Sequence, residues 1–316
     1  MEILLDNSIN INTNINRNTA VALGNFDGLH LGHQFLIKEM MKRADERDLV
    51  KSVFTFNNDS LVKFKTNRTN NLLMSNEQKI ELFEKIGIEL LYLVDFTEEL
   101  MHMTPYEFVK RVLVERLRAK LIVIGFDFRF GYKAQGDGEF LIEASKEFDF
   151  EVIIVEPIAK NNKIVSSSYI RKLIREGNIR DANILLGRPL TIKGTVVKGK
   201  GRGSGLGFAT ANLDIDTNYQ IPKYGVYKTF TFIDEKRYLS ITSIGNNPTF
   251  NDVGFSIETH IIDFNEDIYG KKIEVQLIDF IRKEEKFSNK DELKVQVMKD
   301  IQKITGIIGK DNLSNQ

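Results

Sequence analysis

Apolar residues along this chain recur with two rhythms, and the change between them falls near Arg188-Pro189. In the first half, short apolar runs alternate with amphipathic stretches of helical period. Val21-Ala22-Leu23 reads as a buried strand, Leu31 to Ala44 as a helix and Val50 to Phe56 as a second strand. Ser75 and Gln78 have the spacing of a capping box and open a helix running to about Ile86. Glu89 to Val94 is strand-like. Thr104, Pro105 and Glu107 then supply the cap, first-turn proline and box partner of a helix ending near Arg118. Leu121 to Ile124 is continuously apolar, as a parallel strand buried on both faces requires. A helix from about Gly138 and a strand from Glu151 to Val155 complete the series. Repeated strand–helix units of this length predict a doubly wound parallel α/β sheet.

Beyond Pro189 the helices drop out. Thr191–Val197, Val226–Ile233, Tyr238–Ile244, Phe255–Phe264 and Ile273–Ile281 are β-rich runs separated by turns such as Asp234-Glu235-Lys236. Strands in this order predict a small antiparallel β-barrel, closed by an amphipathic helix from Asp291 to Ile304. The expected boundary lies near residue 186, giving domains 1–186 and 187–316, each long enough to fold alone.

Composition narrows the setting. A length of 316 residues fits two domains, and 42% hydrophobic with 28% charged residues fits globular cores. With no cysteine, disulfide frameworks and thiolate metal sites are excluded. The four histidines, His30, His33, His102 and His260, are too scattered for a zinc site. Lys plus Arg equals Asp plus Glu at 44 each, so no net charge draws the chain to nucleic acid. There is no signal-like amino terminus and no apolar run of membrane-spanning length, so no membrane partner is expected and the cytosol is the expected compartment.

Two segments carry candidate chemistry. Gly24-Asn25-Phe26-Asp27-Gly28-Leu29-His30-Leu31-Gly32-His33 sits where a strand hands over to a helix, the place where parallel sheets bind ligands. Free N–H groups at that helix start favour a phosphate, Gly32 allows close approach, and His30 and His33 share a helical face from which imidazoles can donate to developing charge. The plainer alternative is a glycine turn with two surface histidines. Ser166-Ser167-Ser168 caps a short helix bearing Arg171; hydroxyls and guanidinium suit outer phosphates, although a cap needs no function.

In the second half, Gly199, Gly201, Gly203, Gly205 and Gly207 alternate with Lys200, Arg202, Ser204 and Leu206. Such a loop can curl its N–H groups around phosphates, or can be a flexible linker. Thr210 and Asn212 share a face if extended and offer neutral oxygens suited to magnesium on ATP. Glu258 and His260 share one strand face; Glu258 is either a solvated outer residue or the base for an alcohol attacking a γ-phosphate.

In order and spacing, GNFDGLHLGHQ, Gly125-Phe126-Asp127-Phe128-Arg129-Phe130-Gly131, SSSYIR and Leu186-Gly187-Arg188-Pro189 resemble the bacterial bifunctional riboflavin kinase/FAD synthetases. Ala209-Thr210-Ala211-Asn212, Pro222-Lys223-Tyr224-Gly225-Val226-Tyr227, Gly245-Asn246-Asn247-Pro248-Thr249-Phe250, Glu258-Thr259-His260 and Asp267-Ile268-Tyr269-Gly270 extend the likeness. The resemblance implies an HxGH nucleotidyltransferase followed by a riboflavin kinase, with ATP, riboflavin, FMN and FAD as ligands and Mg2+ as cofactor. It implies that Gly24, Asn25, Phe26, Asp27 and Gly32 form the first phosphate loop, that His30 and His33 stabilise the α-phosphate, and that Ser167 and Arg171 grip the departing pyrophosphate. It places Asp127 near the nucleotide, Thr210 and Asn212 on the metal, and Glu258 as base for the riboflavin 5′-hydroxyl. Two departures stand out: Thr55-Phe56-Asn57-Asn58-Asp59-Ser60 replaces a TFxPHP stretch, and Ala209 replaces a proline. The alternatives are a chain with one working activity or a non-catalytic flavin- or nucleotide-binding regulator.

Overall fold

The computed structural model describes residues 1–6, 16–58, 60, 71–160, 162–199, 209–246 and 255–311. Asp59, Lys200 to Gly207 and Asn247 to Phe250 therefore lie outside the described residues. The chain forms two compact units, Met1–Tyr169 and Ile170–Gln316. The expected boundary at 186 lies further along the chain than this division.

The first unit contains a parallel sheet of β1 (Glu2–Asp6), β2 (Thr19–Leu23), β3 (Val50–Phe56), β4 (Leu90–Val94), β5 (Ala119–Gly125) and β6 (Glu151–Val155), and a separate short pair, β7 (Ala159–Lys160) and β8 (Lys163–Ile164). The order of the sheet is β1-β4-β3-β2-β5-β6, with every pairing parallel. The pleat sends alternate residues into two cores. Val21, Leu23, Phe54, Tyr92, Val94, Ile122 and Ile124 enter one core. Ala20, Ala22, Val53, Leu91, Leu93, Leu121 and Val123 enter the other. Helices α1 (Leu31–Asp45) and α2 (Asn76–Ile86) cover the second core through Leu36, Ile37, Met40 and Phe83. The short α3 (Glu98–His102) contributes Leu100 to the first core. Alongside it are α4 (Pro105–Glu107, continuing as a π-helix over Phe108–Arg116) and α5 (Gly138–Phe148). Both expected capping boxes form, at Ser75 with Gln78 and at Thr104 with Glu107.

Successive strands run outward from β2 through β3 to β4 in one direction and from β5 to β6 in the other. The topological switch point therefore lies between β2 and β5, and ligands of open α/β sheets bind outside the carboxyl ends of such strands. GNFDGLHLGH follows β2 and GFDFRFG follows β5.

Helix α6 (Ser167–Glu176) spans the division between the units. The second unit continues with α7 (Ile179–Leu186) and a closed six-stranded barrel in which β9 (Leu190–Val197) and β10 (Thr210–Asp214) are neighbours. With β11 (Gly225–Ile233), β12 (Lys236–Gly245), β13 (Ser256–Ile261) and β14 (Lys272–Arg282), the order around the barrel is β10-β13-β12-β11-β14-β9. The β11–β12 turn puts Asp234 and Glu235 at φ 47° and 66°, the left-handed pair of a type I′ turn that matches strand twist. Inside, Thr229, Thr231, Ser240, Thr242 and Thr259 are fully buried. Their hydroxyls form a chain at 2.8–2.9 Å, so the polar interior is satisfied within itself.

Sequence periodicity did not anticipate α7. Its Ile179, Ala182, Leu185 and Leu186 are buried, and Asn183 bridges the Leu277 carbonyl at 2.8 Å and the Leu190 N–H at 2.7 Å. The closing helix α8 (Lys290–Asp311) is longer than expected. Its Ile304 packs with Val226 and Ile241, and its buried Asp300 pairs with Arg282 at 2.9 Å.

Candidate active sites

After β2 the backbone makes an abrupt turn before entering α1. Phe26 and Leu29 adopt φ 47° and 36°, flanking Gly28 at 78°. A non-glycine residue in a sparsely populated region costs about 1–3 kcal/mol. Here the side chains of both are buried at 0% and 1% exposure, and that burial offsets the strain. The turn is tied down from three directions. Thr55 Oγ1 donates to the Asn25 carbonyl at 3.1 Å, the Leu73 N–H donates to Asp27 Oδ1 at 3.0 Å, and the Ser167 hydroxyl donates to the Asp27 carbonyl at 2.9 Å.

His30 is the N-cap of α1, with its ring 5% exposed. Its Nδ1 accepts from the His33 N–H at 3.4 Å, so a neutral ring carries its proton on Nε2. The rings of His30 and His33 stack with centroids 3.6 Å apart, and Phe26 meets His33 edge-on at 5.2 Å. The two histidines are thus one preorganised pair at a helix start, where the dipole favours an anion. Gly32 has a role beyond the expected one: a Cβ there would lie 3.2 Å from His30 Nδ1 and 3.3 Å from Cε1. Ser167 reaches the turn, while Ser166 caps α6 by accepting from the Tyr169 N–H at 3.3 Å. Arg171 is half-buried one turn further along α6, beyond the division between units. Asp127 is exposed after β5, and Arg129 pairs with Asp137 at 2.8 Å.

One residue of this corner escaped sequence reasoning. Lys79 is fully buried, and its ammonium donates to the Asn25 carbonyl at 3.1 Å, the Phe56 carbonyl at 3.1 Å and Asn58 Oδ1 at 3.0 Å. Burial lowers its pKa to about 8, while Asp27 acts in the opposite sense. The signal was present: Lys79 falls one turn before the buried Phe83, on the apolar face of α2.

In the second unit the candidate side chains are assembled by register. Strands β10 and β13 pair Thr210 with His260 and Asn212 with Glu258. Directly opposed antiparallel residues share a face, with Cβ atoms about 4.5–5.5 Å apart. All four therefore project from one face, while the buried Ala211 and Thr259 occupy the other. Glu258 is half-buried and accepts from Ser256 Oγ at 3.4 Å; His260 Nδ1 lies 2.9 Å from the Ala209 carbonyl. A Cβ on Gly199 would overlap the Asn212 carboxamide, so a side chain there would displace that group from its present position. Gly201, Gly203, Gly205 and Gly207 lie outside the described residues. Beside the β10–β13 pair opens a cavity of about 300 Å³ bounded by Ala209, Thr210, Thr259 and the turn from Phe264 to Tyr269. Among the described residues there is no cluster of three or more His, Asp or Glu able to hold a metal. Thr210 and Asn212 instead fit an ion whose remaining ligands are nucleotide phosphates and water.

Residues 12–169 match the FAD synthetase family model and residues 186–308 the riboflavin kinase model. The chain is 37% identical over 289 residues to the bifunctional riboflavin kinase/FMN adenylyltransferase of Listeria monocytogenes, covering 90% of this chain and 91% of the relative. The Bacillus subtilis enzyme of the same description is 35% identical, with 90% of each chain covered. This chain belongs to the bifunctional riboflavin kinase/FMN adenylyltransferase family. A solved structure described as a macrolide-efflux protein from Streptococcus pneumoniae is 34% identical, with a TM-score of 0.85 over 95% of this chain and 97% of that one. Among the described residues of this chain, no helix is long and apolar enough to cross a membrane.

The two departures from the family pattern have structural accounts. Asn58 is 2% exposed; its Nδ2 donates to the Met74 carbonyl at 3.1 Å, and its N–H donates to Asn76 Oδ1 at 3.0 Å. Asn57 donates to Asp95 at 2.8 Å and accepts from Asn76 at 2.6 Å. A network of asparagine side chains thus surrounds the position of the first family proline, and the histidine position, Asp59, lies outside the described residues. At Ala209 the group in use is the backbone carbonyl, which proline also provides.

Proposed function

We propose that the two sites perform the two family reactions independently, the barrel making FMN and the α/β unit making FAD. The supporting observation is that the two matched family domains fall one on each unit, over the two phosphate-handling sites described above.

In the barrel, the riboflavin 5′-oxygen attacks the γ-phosphorus of ATP, the β–γ bridging bond breaks, and ADP leaves. Glu258 takes the hydroxyl proton. Thr210 and Asn212 would hold Mg2+, which neutralises phosphate charge, and the cavity beside Ala209 takes part of the nucleotide. In the α/β unit a phosphate oxygen of FMN attacks the α-phosphorus of a second ATP, and pyrophosphate departs. The start of α1 and the turn Gly24 to Asp27 bind the phosphates, with Gly32 at the histidine pair. His30 and His33 donate to the charge growing on the α-phosphate. Ser167 and Arg171 serve the pyrophosphate, and Asp127 the nucleoside. Both reactions are assigned to the cytosol.

The test is to incubate the protein with riboflavin and Mg-ATP and separate the flavins by chromatography. Parent protein should accumulate FMN and then FAD. His30→Ala/His33→Ala should stop at FMN, with adenylylation lowered by at least about 10²–10³. FAD formation at the parental rate by that variant would remove the histidines from the chemistry.

A further inference from the structure

Lys79 is a charged side chain with no exposure to water. Burying an ammonium is costly, and an apolar residue of similar size is commonly better for stability alone. Its place on the core face of α2 therefore calls for a function, and its geometry indicates one. A lysine ammonium has three protons, and here three oxygens receive them at 3.0–3.1 Å. The acceptors come from two segments that meet at the carboxyl ends of neighbouring strands. Asn25 begins the strained turn that leads to His30, and Phe56 and Asn58 lie at and just beyond the end of β3.

We propose that Lys79 is a positioning residue for adenylyl transfer, clamping the turn from Gly24 to Gly28 against the end of β3 and so fixing His30 at the α-phosphate. This rests on the assignment of adenylylation to the α/β unit. Asn58 makes the clamp particular to this chain: its carboxamide oxygen is the third acceptor, and proline has no such group.

The clamp depends on the proton. A neutral amine has two N–H groups and a lone pair, so one of the three oxygens would then face a lone pair. Asp27, on the clamped turn, is the carboxylate that favours the charged form, against the burial that lowers the pKa to about 8. Among the described residues of β3 and its extension, the groups that reach the ammonium are the Phe56 carbonyl and the Asn58 carboxamide oxygen. Asp95 is engaged by Asn57, and His30 and His33 at the far end of the turn belong to the acid limb of a pH profile.

The test measures FAD formation from supplied FMN, between pH 6 and pH 10, for the parent, Lys79→Met and Asn58→Asp. Riboflavin phosphorylation on each preparation reports the barrel, and circular dichroism with thermal unfolding reports the α/β unit. In the parent, kcat should fall as pH rises through about 8. Lys79→Met should lose roughly 10²-fold in kcat, the scale of an ångström of misplacement, with little change in KM for FMN and no such alkaline limb. Asn58→Asp places a carboxylate on the ammonium, which should hold its proton and move the limb upward by about a pH unit or more. A purely structural lysine predicts no displacement of that limb. A parent that makes no FAD overturns the assignment of function itself. A parent that makes FAD overturns the clamp alone if folded Lys79→Met keeps parental kcat, or if Asn58→Asp leaves the limb in place; the second criterion decides should Lys79→Met fail to fold.

Discussion

Replacing Gly32 with alanine separates stability from catalysis at the proposed adenylylation site. Gly32 is the second residue of α1, and its new Cβ would stand 3.2 Å from His30 Nδ1, 3.3 Å from Cε1 and 3.7 Å from the Val165 carbonyl. Those ring contacts are tighter than ordinary van der Waals separation, so His30 has to shift by a few tenths of an ångström. Its ring is buried and stacked on His33 at 3.6 Å, and its Nδ1 is held by the His33 N–H, so the shift disturbs the pair as a unit. If an ångström of misplacement costs on the order of 10²-fold, a shift of this size should lower FAD formation by roughly 5- to 30-fold. Stability should change by less than about 1 kcal/mol in either direction, because the helix preference for alanine over glycine is offset by displacement of the buried ring. The assay is conversion of FMN to FAD under saturating ATP, beside thermal unfolding and the riboflavin kinase rate of the same preparation. A double-mutant cycle with His30→Ala isolates the route. If the methyl acts through the ring, Gly32→Ala should cost nothing further once the ring is gone. A loss that persists without the ring would show that the glycine admits the phosphate directly, and parental activity in Gly32→Ala would refute the steric argument altogether.

Three other outcomes are expected. Glu258→Gln keeps the shape but not the basicity, so riboflavin phosphorylation should fall by about 10²–10⁴ while adenylylation of FMN is untouched; kinase turnover within twofold of the parent would make Glu258 an outer strand residue. Lys79 has its folded pKa lowered to about 8 from 10.5. The unfolded chain therefore binds more protons between those values, and this group should add up to about 3 kcal/mol of stability as pH rises from 8 to 10.5. Chemical denaturation of parent and Lys79→Met across that range checks the sign, and equal slopes would contradict the burial argument. Finally, a fragment of residues 170–316 should be more stable than one of residues 187–316, because the shorter piece loses the buried Ile179, Ala182, Leu185 and Leu186 and the Asn183 bridges. The loss should be on the order of 5 kcal/mol, and equal midpoints in urea would show that α7 is dispensable to the barrel.

Elements with a strong local cause were legible in the sequence, and those without one were not. The capping boxes at Ser75 and Thr104 fixed two helix starts because side chain and backbone satisfy each other within four residues. Val50–Phe56 and Glu151–Val155 were legible from apolar runs bounded by polar turns. Strand β1 was missed because Glu2–Asp6 is short and pairs with β4, far along the chain. Helix α7 was missed because its apolar face is explained only by the barrel strands it covers. The histidine pair was legible as a spacing, but the cap, the stacking and the crowding against Gly32 depend on backbone angles that no spacing encodes. Lys79 was overlooked for a different reason: a lysine reads as solvated by type, although its place one turn before Phe83 puts it on the apolar face of α2.

The two sites are built from opposite kinds of information, and this sets how each should tolerate change. In the α/β unit the histidines lie three positions apart in one motif, and the fold supplies the place, a strand-to-helix turn at the switch point between β2 and β5. Residues distant in sequence, such as Lys79, Leu73 and Ser167, hold that turn from outside. Substitutions remote from the motif should therefore weaken adenylylation by loosening the turn. In the barrel the partners come from different strands, and the β10–β13 register alone brings Asn212 opposite Glu258. A slip of one residue would send Glu258 to the other face of the sheet. The β10–β13 register is held by the buried Ala211, Leu213, Ile257 and Thr259, and the hydroxyl chain from Thr231 to Thr259 ties β13 in turn to β12 and β11. The proposed kinase site should accordingly tolerate changes in turns remote from the glycine loop, such as Asp234-Glu235, but not in those interior threonines and serine, although none of them except Thr259 borders the cavity.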